Sequence, residues 1–333
     1  MGAIAALIAR PGRSSAQDAA SPQGPPLPSI DGGAFLETAF DHALRLTVPV
    51  YLDAEGPFAF VVDTGSNRTV VATEVAARCG FEAAGTAQVH GIISAEPAPL
   101  VRVRRLRVGS VISSGLRLPV VAGARLGADG ILGIDMMRSR RVKLDFDDQT
   151  FSIIPSATDP FAELARGRNS RLSSPRDPVT VPARYRSGQL LLLDVEAAGV
   201  PVIAFLDSGS QVTVGNSALR RAAFADHPRL AGKAIRSELI SATGQHAPAD
   251  FAALPSFRIA RQTFEAPLVA FSDLHIFTLW GLQEHPAMLI GVDTLRRFSS
   301  VAFDFGRKLI TFWPAEPPNE LVRRAGSRGS GGG

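Results

Sequence analysis

Two short runs of the chain place an aspartate directly between an apolar, strand-like segment and a turn. The first run is Asp63-Thr64-Gly65-Ser66, which follows "FAFVV", and the second is Asp207-Ser208-Gly209-Ser210, which follows "IAFL". A lone aspartate of this kind is best interpreted as the start of a turn, because an unpartnered carboxylate is costly to bury. The recurrence of the whole pattern in the second half of the chain indicates that each aspartate has the other as its partner.

Two such carboxylates held about 3 Å apart would share one proton, because both cannot easily be ionised together. The ionised carboxylate can take a proton from water while the protonated one donates a hydrogen bond to a carbonyl oxygen. This is acid–base hydrolysis without a metal ion or a Ser or Cys nucleophile. We therefore predict that Asp63 and Asp207 are catalytic.

The residues that follow each aspartate suit this chemistry. Glycine permits a tight turn and lets the backbone approach a carboxylate closely. Hydroxyl groups can hydrogen-bond the carboxylate oxygens or reach across between two halves of the molecule. The predicted supporting residues of the two catalytic loops are Thr64, Gly65, Ser66, Ser208, Gly209 and Ser210.

The elements that must position these loops also recur in order. Each motif is followed by a helical segment, "ATEVAARCG" in the first half and "NSALRRAAF" in the second. Later, residues 130–155 parallel residues 288–314: an apolar strand, Gly-apolar-Asp, a short helix and a β-hairpin that ends in Pro. We expect Asp135 and Asp293 to be N-caps of those short helices. The repeated order predicts an all-β protein with two homologous lobes, related by a pseudo-two-fold axis across a central cleft.

The predicted organisation has five segments. Residues 1–30 are a disordered N-terminus or a partial signal segment, 31–155 the first lobe, 156–178 a polar, Arg-rich linker, 179–315 the second lobe and 316–333 a flexible tail. The apolar stretch 3–9 resembles the end of a secretory signal without its basic region, and it is too short to span a bilayer. We expect a periplasmic or secreted protein without stable membrane insertion, and otherwise a cytoplasmic one.

Composition excludes several other classes. The chain has 333 residues, 45% of them hydrophobic, and a net charge of +4, so a globular protein with more than one core is expected. Its single cysteine, Cys79, excludes an intramolecular disulfide. The basic run at Arg102 and Arg104 alternates with valines and indicates a solvated strand face rather than a nucleic-acid site. The six histidines show no ligand spacing, so we expect neither a metal ion nor a cofactor.

The two aspartate motifs resemble the active-site motifs of the pepsin/retropepsin aspartic proteases. Two further segments resemble the strand that passes behind each catalytic loop in that family: Ile131-Leu132-Gly133 and Leu289-Ile290-Gly291. The resemblance covers residues 40–315 and is closest to bacterial retropepsin-like proteases in which two retroviral-type protomers are fused. It implies a barrel of roughly six or seven strands in each lobe. It also implies an extended polypeptide substrate, and a monomer because both half-sites lie in one chain.

The sequence departs from the pepsins in the flap, the hairpin that covers the cleft. Its two tyrosines, Tyr51 and Tyr185, do not fall where a flap should be. The flap candidates are residues 88–99, with His90, Gly91 and Ile92, and residues 241–249, with Gly244.

Three functions compete on these features. The leading one is an aspartic endopeptidase, with a processing or regulatory role if it is exported. The second is a catalytically silent peptide-binding protein on the same fold. The third is a glycosidase, which needs its two carboxylates about 5 Å or more apart and does not typically carry them in paired Asp-x-Gly turns. Trp280 is interpreted as a core residue, with a wall of the substrate pocket as the alternative.

Overall fold

The computed structural model describes residues 45–156, 177–186, 189–192, 195–241 and 244–315, and the backbone of four short strands before residue 45. Two of these strands fall within residues 1–30. The rest of that stretch, the tail 316–333 and residues 157–176 of the predicted linker lie outside the described residues.

The all-β architecture predicted from the sequence is confirmed, since strands make up most of the described chain. The strands of the first half are β1 (Gly2–Ile4), β2 (Leu7–Ala9), β3 (Ala34–Glu37), β4 (Ala39–Phe40), β5 (Leu46–Leu52), β6 (Glu55–Val62), β7 (Val70–Ala72), β8 (Ala83–Gly91), β9 (Ala95–Val108), β10 (Val111–Val121), β11 (Gly130–Leu132), β12 (Arg140–Asp145) and β13 (Thr150–Pro155).

The second half continues the series with strands of similar order. They are β14 (Val179–Arg186), β15 (Gln189–Leu192), β16 (Val195–Ala197), β17 (Val200–Pro201), β18 (Ile203–Leu206), β19 (Val214–Gly215), β20 (Ile235–Ser241), β21 (His246–Ala253), β22 (Ser256–Ile259), β23 (Gln262–Glu265), β24 (Leu268–Phe271), β25 (Ala287–Ile290), β26 (Phe298–Asp304) and β27 (Leu309–Pro314).

The helices are short and lie between strands. They are Thr73–Arg78, Gly123–Leu126, Ser217–Phe224, Pro228–Ala231, His275–Leu279 and Val292–Leu295, with a single 3₁₀ turn at Ile134–Met136. Within the described part of the chain, none of them is long and apolar enough to cross a membrane. Cys79 ends the first helix and is half-buried against the core.

Six strands of the first half close into a barrel. They pair in the order β5-β6-β11-β7-β10-β9, and β9 returns to pair with β5. Along β9, valines 101 and 103 are buried while arginines 102 and 104 are exposed, which is the alternation of a strand with one face on a core. The solvated strand face expected for these arginines is what the structure shows.

The second half repeats this order of strand pairing, but two of its long strands are each interrupted and form two shorter strands. The long β9 and β10 of the first half correspond to β21 with β22 and to β23 with β24. Strand β16 pairs with β17 and β22, as β5 pairs with β6 and β9. The remaining pairs, β18–β25, β25–β19, β19–β24 and β24–β21, complete the circuit.

One antiparallel pair of strands joins the two halves into a single sheet. Hairpin β12–β13 ends the first half and hairpin β26–β27 ends the second, and β12 pairs with β26 from Arg141↔Asp304 to Asp145↔Ser300. Backbone hydrogen bonds and buried side chains from both hairpins therefore hold the halves together without a disulfide.

Candidate active site

Each aspartate stands at the end of a buried strand. Asp63 follows β6 and Asp207 follows β18, and both side chains are fully buried. The neighbouring parallel strands, β11 and β25, fix the backbone at this point: Asp63 N–H donates to Leu132 O at 3.1 Å, and Asp207 N–H donates to Ile290 O at 2.9 Å. The two apolar strands thus deliver a carboxylate into the interior at corresponding places.

The two carboxyl groups lie close enough for each to shift the pKa of the other. One oxygen of each is also held by its own loop: Gly65 N–H donates to Asp63 Oδ1 at 2.8 Å, and Gly209 N–H donates to Asp207 Oδ1 at 2.9 Å. The other oxygen of each, Oδ2, is buried and has no hydrogen-bond partner among the described residues. The pair therefore has two oxygens fixed by backbone and two oriented for an added group.

Burial in this site raises both carboxyl pKa values. Loss of solvation raises the pKa of Asp63 to about 7, although the hydrogen bond from Asp207, the Gly65 amide and the charge of Arg45 act in the opposite direction. The pKa of Asp207 is raised well above its ordinary value, first by burial and then by the charge of Asp63. The pair consequently retains a shared proton into the neutral pH range.

Reciprocal hydrogen bonds lock the two loops together beside the carboxyl groups. The Thr64 hydroxyl accepts from Ser208 N–H at 3.1 Å and donates to Leu206 O at 2.9 Å. The Ser208 hydroxyl accepts from Thr64 N–H at 3.1 Å and donates to Val62 O at 2.7 Å. Each hydroxyl thus reaches into the other half of the molecule, and the two loops are related by an approximate two-fold axis that passes between them.

The serines at the fourth position of each motif stabilise their own loops. The Ser66 hydroxyl donates to Arg68 O at 2.7 Å, and the Ser210 hydroxyl donates to Val212 O at 2.8 Å. Their backbone amides, rather than their hydroxyls, act on the catalytic carboxyl groups, since both N–H groups lower the pKa of the aspartate in their own loop.

The strands behind the loops end in glycines that permit close approach. A Cβ on Gly133 would lie 2.5 Å from the carbonyl carbon of Arg68, and one on Gly291 would lie 2.5 Å from Val212 O. Such distances are not compatible with a side chain, so the residue at each position has to be glycine for the loop to pack on its strand. Ile131 and Leu132 pair with β6, and Leu289 and Ile290 pair with β18.

The expectation that Asp135 and Asp293 cap short helices was wrong. Neither following helical turn has a side-chain cap; the capping positions are Gly133 and Gly291. Instead, Asp135 accepts from the hydroxyl of Thr69 at 2.7 Å, and Asp293 accepts from the hydroxyl of Thr213 at 2.7 Å. These threonines follow the catalytic loops, so the acids hold the loops from behind.

Both predicted flap stretches contain hairpin turns. Strands β8 and β9 meet at a turn in which Gly91 N–H donates to Ser94 O at 2.8 Å, and β20 and β21 meet at a turn in which Gly244 N–H donates to Ser241 O at 2.8 Å. Residues 242 and 243 of the second turn lie outside the described part.

The tip of the first hairpin docks on the second half. Ile92 is fully buried in a cluster that also contains Phe205 and Phe277, and its carbonyl accepts from Ile276 N–H at 3.0 Å. Beside it, His90 Nδ1 lies 3.3 Å from His275 Nε2, and the two rings are stacked with centroids 5.6 Å apart. A residue of the second half thus takes part in holding the hairpin of the first.

Trp280 belongs to the same buried cluster as Ile92, and it is the core residue that the sequence predicts. Trp280 is a buried core residue that stacks on Phe205 with ring centroids 3.8 Å apart. Tyr51 lies under the guanidinium group of Arg107, and the hydroxyl of Tyr185 donates to Phe305 O at 2.9 Å. Neither tyrosine is at a hairpin tip.

Two residues of the site were missed in the sequence. Arg45 is fully buried and its Nη2 donates to Leu126 O at 2.7 Å, while its charge lowers the pKa of Asp63. His275 was one of six histidines without a pattern. An arginine directly before the apolar run of β5 was the only available signal for the first, and the second had none.

Buried aspartates that share a proton, on two loops tied to each other and flanked by hairpins, define the site of an aspartic protease. In agreement, residues 48–136 match the model of the family described as aspartyl protease, which supports the pepsin/retropepsin-like type. The match includes Asp63, the first hairpin tip and strand β11, and it ends before the second motif. No curated protein matches the chain significantly.

Proposed function

We propose that the protein is an aspartic endopeptidase that cleaves extended polypeptide segments with a water molecule activated between Asp63 and Asp207. The observation that carries the proposal is the pair of fully buried carboxyl groups on two loops that are bonded to each other. Burial raises the pKa of both groups, so one proton stays between them near neutral pH. A structural turn pair would have no need of two acids in contact in the core, where each is costly.

The asymmetry of the pair assigns the starting roles. Arg45 favours the ionised form of Asp63, so Asp63 is the base that takes a proton from the water. Asp207 holds the shared proton and donates it to the carbonyl oxygen of the scissile peptide bond, which gives a tetrahedral diol. Asp63 then passes the proton that it took from water to the leaving nitrogen, while Asp207 takes a proton back from a hydroxyl group of the diol. The carbon–nitrogen bond breaks to give a carboxylic acid and an amine, and the pair again holds one proton on Asp207.

The surroundings of the pair support this chemistry. The Gly65 and Gly209 amides fix one oxygen of each carboxyl group, and the Thr64–Ser208 bonds fix the distance between the loops. Such positioning removes the need to reorganise polar groups during the reaction. Short strands already add to the outer edges of the hairpins β8–β9 and β20–β21, β1 to β8 and β2 to β20, and an extended substrate would bind to the hairpins in the same way.

The experiment that tests the proposal is cleavage of a diverse, unstructured peptide pool between about pH 4 and pH 8, where the shared proton is expected to be held. Wild type is compared with Asp63→Asn and Asp207→Asn, and with Asp148→Asn as a matched control on an exposed turn. We expect each active-site variant to lose activity by about 10²-fold or more, since each removes one half of the acid–base pair.

The alternative, a catalytically silent peptide-binding protein, has a separate result. If wild type cuts nothing over the whole pH range but still binds peptides, and the Asn variants bind equally well, the endopeptidase proposal is wrong. A processing or regulatory role, and export to the periplasm or medium, stay predictions of the sequence.

A further inference from the structure

The strand that ends at Asp207 shows which side of the second half faces the cleft. Along β18, Leu206 packs in the barrel core, whereas Phe205 packs in a second buried cluster. Asp207 N–H continues the pairing of this strand by donating to Ile290 O, so the Asp207 side chain lies on the same face as Phe205, about 7 Å further along. A polypeptide bound at the carboxyl group would therefore lay a neighbouring side chain over Phe205.

The neighbouring strands extend this apolar face. Leu289 of β25 is opposite both Phe205 and Val214 of β19, and all three side chains are buried in the same cluster. Ile92, from the hairpin tip of the first half, belongs to this cluster too. The cluster therefore occupies the space between the catalytic strand and that hairpin tip, where a side chain of a bound polypeptide would enter.

Two aromatic side chains in this space come from one segment, residues 272–286 between β24 and β25, which we call the insert. Trp280 stacks on Phe205 with ring centroids 3.8 Å apart, and Phe277 is buried in the same cluster. The corresponding segment of the first half, residues 122–129, is about half as long and contains no aromatic residue. The aromatic insert is thus a feature of one half only.

Hydrogen bonds at both ends hold the insert against the strands beneath it. At its start, Ser272 N–H donates to Gly215 O at 3.0 Å. Near its end, the buried Asn216 side chain donates to Leu282 O and to His285 O, both at 2.8 Å. The insert is therefore fixed as part of the cleft wall, and a substrate would have to break these bonds to displace it.

From this arrangement we propose that the insert closes the side-chain pocket beside Asp207, so that the site takes polypeptides with a small residue facing the second half. The role of this selection in cleavage rests on the proposed function. Successive side chains of an extended chain point to opposite sides, so the residues before and after the cleaved bond face different halves. Cleavage should accordingly require glycine, alanine or serine on one side of the bond, whereas the insert sets no such limit on the other.

The tight packing of the insert sets the size of the expected selection. Trp280 and Phe277 are almost completely buried, so a larger substrate side chain has no free space beside them. In a pocket of fixed size, one extra methylene group changes kcat/KM by about 10–200-fold. A leucine or phenylalanine facing the second half should therefore be disfavoured at least tenfold relative to alanine.

Cleavage by the full chain tests the proposal. Wild type is given a diverse peptide pool, the cleaved bonds are read by mass spectrometry, and kcat/KM is measured for peptides with alanine or phenylalanine at the restricted position. Trp280→Ala should raise the phenylalanine-to-alanine ratio of kcat/KM at least tenfold. Trp280→Phe keeps an aromatic ring and removes an indole N–H that has no partner among the described residues, so its ratio should stay near that of wild type. Phe257→Ala, which removes an equally buried ring from the barrel core, is the control for general loosening.

Loss of a buried tryptophan can unfold the protein, so Phe277→Ala, which removes the other aromatic ring of the insert, is made in parallel. Urea unfolding shows which variants are folded. If wild type cleaves equally well with phenylalanine on either side of the bond, the proposal is wrong, whether or not a variant folds. It is also wrong if no folded variant of the insert changes the ratio more than Phe257→Ala does.

Binding separates this proposal from the proposed function. Fluorescent peptides of alanine and serine, with either phenylalanine or alanine at the centre, are titrated against Asp207→Asn and against the double variant with Trp280→Ala. The double variant should bind the phenylalanine peptide at least tenfold more tightly than Asp207→Asn does, with the alanine peptide unchanged. This result supports a closed pocket even if no form of the protein cleaves a peptide, in which case only the proposed function is wrong. Equal affinities would overturn the proposal even in an active protease.

Discussion

Burial raises the pKa of both Asp63 and Asp207; the charge of the buried Arg45 opposes this rise at Asp63, whereas the charge of Asp63 adds to it at Asp207. The backbone of the two loops is nevertheless held by the same bonds: a glycine amide to Oδ1, a hydroxyl across to the other loop, and a threonine–aspartate contact behind. The two halves therefore share their geometry and differ in their electrostatics. In the proposed mechanism, Arg45, which lies outside the repeated motif, distinguishes the roles of the two aspartates.

The reciprocal hydroxyls should give the largest effect on stability. Thr64→Ala would leave Ser208 N–H and Leu206 O unpaired, and Ser208→Ala would leave Thr64 N–H and Val62 O unpaired. Because unsatisfied buried groups cost about 1–3 kcal/mol each, we expect each variant to lose about 3 kcal/mol in the free energy of unfolding. Urea unfolding measures this loss.

Thr64→Ser is the matched control, since it keeps the hydroxyl group. The two alanine variants should be alike if the loops are held symmetrically. A Thr64→Ala protein as stable as Thr64→Ser would show that the cross-links between the halves contribute little.

Substitution of Asp135 or Asp293, the acids behind the catalytic loops, should lower the free energy of unfolding by less, and the two losses should be unequal. Asp293 is buried enough that loss of solvation raises its pKa, so its ionised form is already disfavoured. We expect Asp135→Asn to cost about 2 kcal/mol near neutral pH, the usual value of a bond to a charged group, and Asp293→Asn to cost less. Thermal unfolding of both variants checks the order, and an equal or larger loss for Asp293→Asn would contradict it.

Arg45 offers a way to remove the electrostatic difference between the halves. Arg45→Met should raise the pKa of Asp63 further and move it toward that of Asp207, whereas Arg45→Lys should retain the charge. Carboxyl-detected NMR titration of Asp63 measures the shift. An unchanged pKa in Arg45→Met would show that Arg45 does not set the roles of the pair.

Arg45→Met should also change how the free energy of unfolding depends on pH. The folded-state pKa of Asp63 is about 7, above its ordinary value of 3.8, so the folded protein binds more protons than the unfolded chain between these values. The contribution of this group to stability is therefore fully present below 3.8 and is lost as pH rises to about 7. In Arg45→Met the loss should continue to higher pH, and urea unfolding at a series of pH values would reveal it. For activity, an optimum below about pH 3 would contradict the shared proton near neutral pH.

Protonation of His90, at the tip of hairpin β8–β9, should give the smallest effect on stability. Burial, and then the charge of His275, lower the pKa of His90, so its contribution to stability is present above the ordinary value and is lost as pH falls. Protonation of His90 would weaken the contact of the tip with the helix His275–Leu279. The protection of the Ile276 amide, which donates to Ile92 O, against hydrogen exchange should fall at acid pH in wild type and less so in His90→Gln, when each rate is divided by the intrinsic rate at that pH. Identical pH dependence in both proteins would exclude His90 as the cause.

The strands and catalytic loops could be predicted because their signals are local. Four or five apolar residues before Asp63 and before Asp207 specify a buried strand, and the Gly that follows specifies the turn. The hairpins β12–β13 and β26–β27 follow from alternation around a polar turn. The roles of Asp135 and Asp293 were not predictable in this way. An aspartate at the start of a short helix resembles an N-cap, whichever donor its carboxylate finally accepts from.

The sequence by itself determined which residues lie at the ends of the buried strands, and, through the order of repeated segments, that two such ends exist. Tertiary structure alone decided that Arg45 acts on Asp63, that His90 meets His275, and that β1 pairs with β8 and β2 with β20. The physical reason is the range of the forces involved. Strand and turn preferences act between neighbours in the chain, whereas burial, charge and strand pairing depend on residues that meet only when the chain has folded.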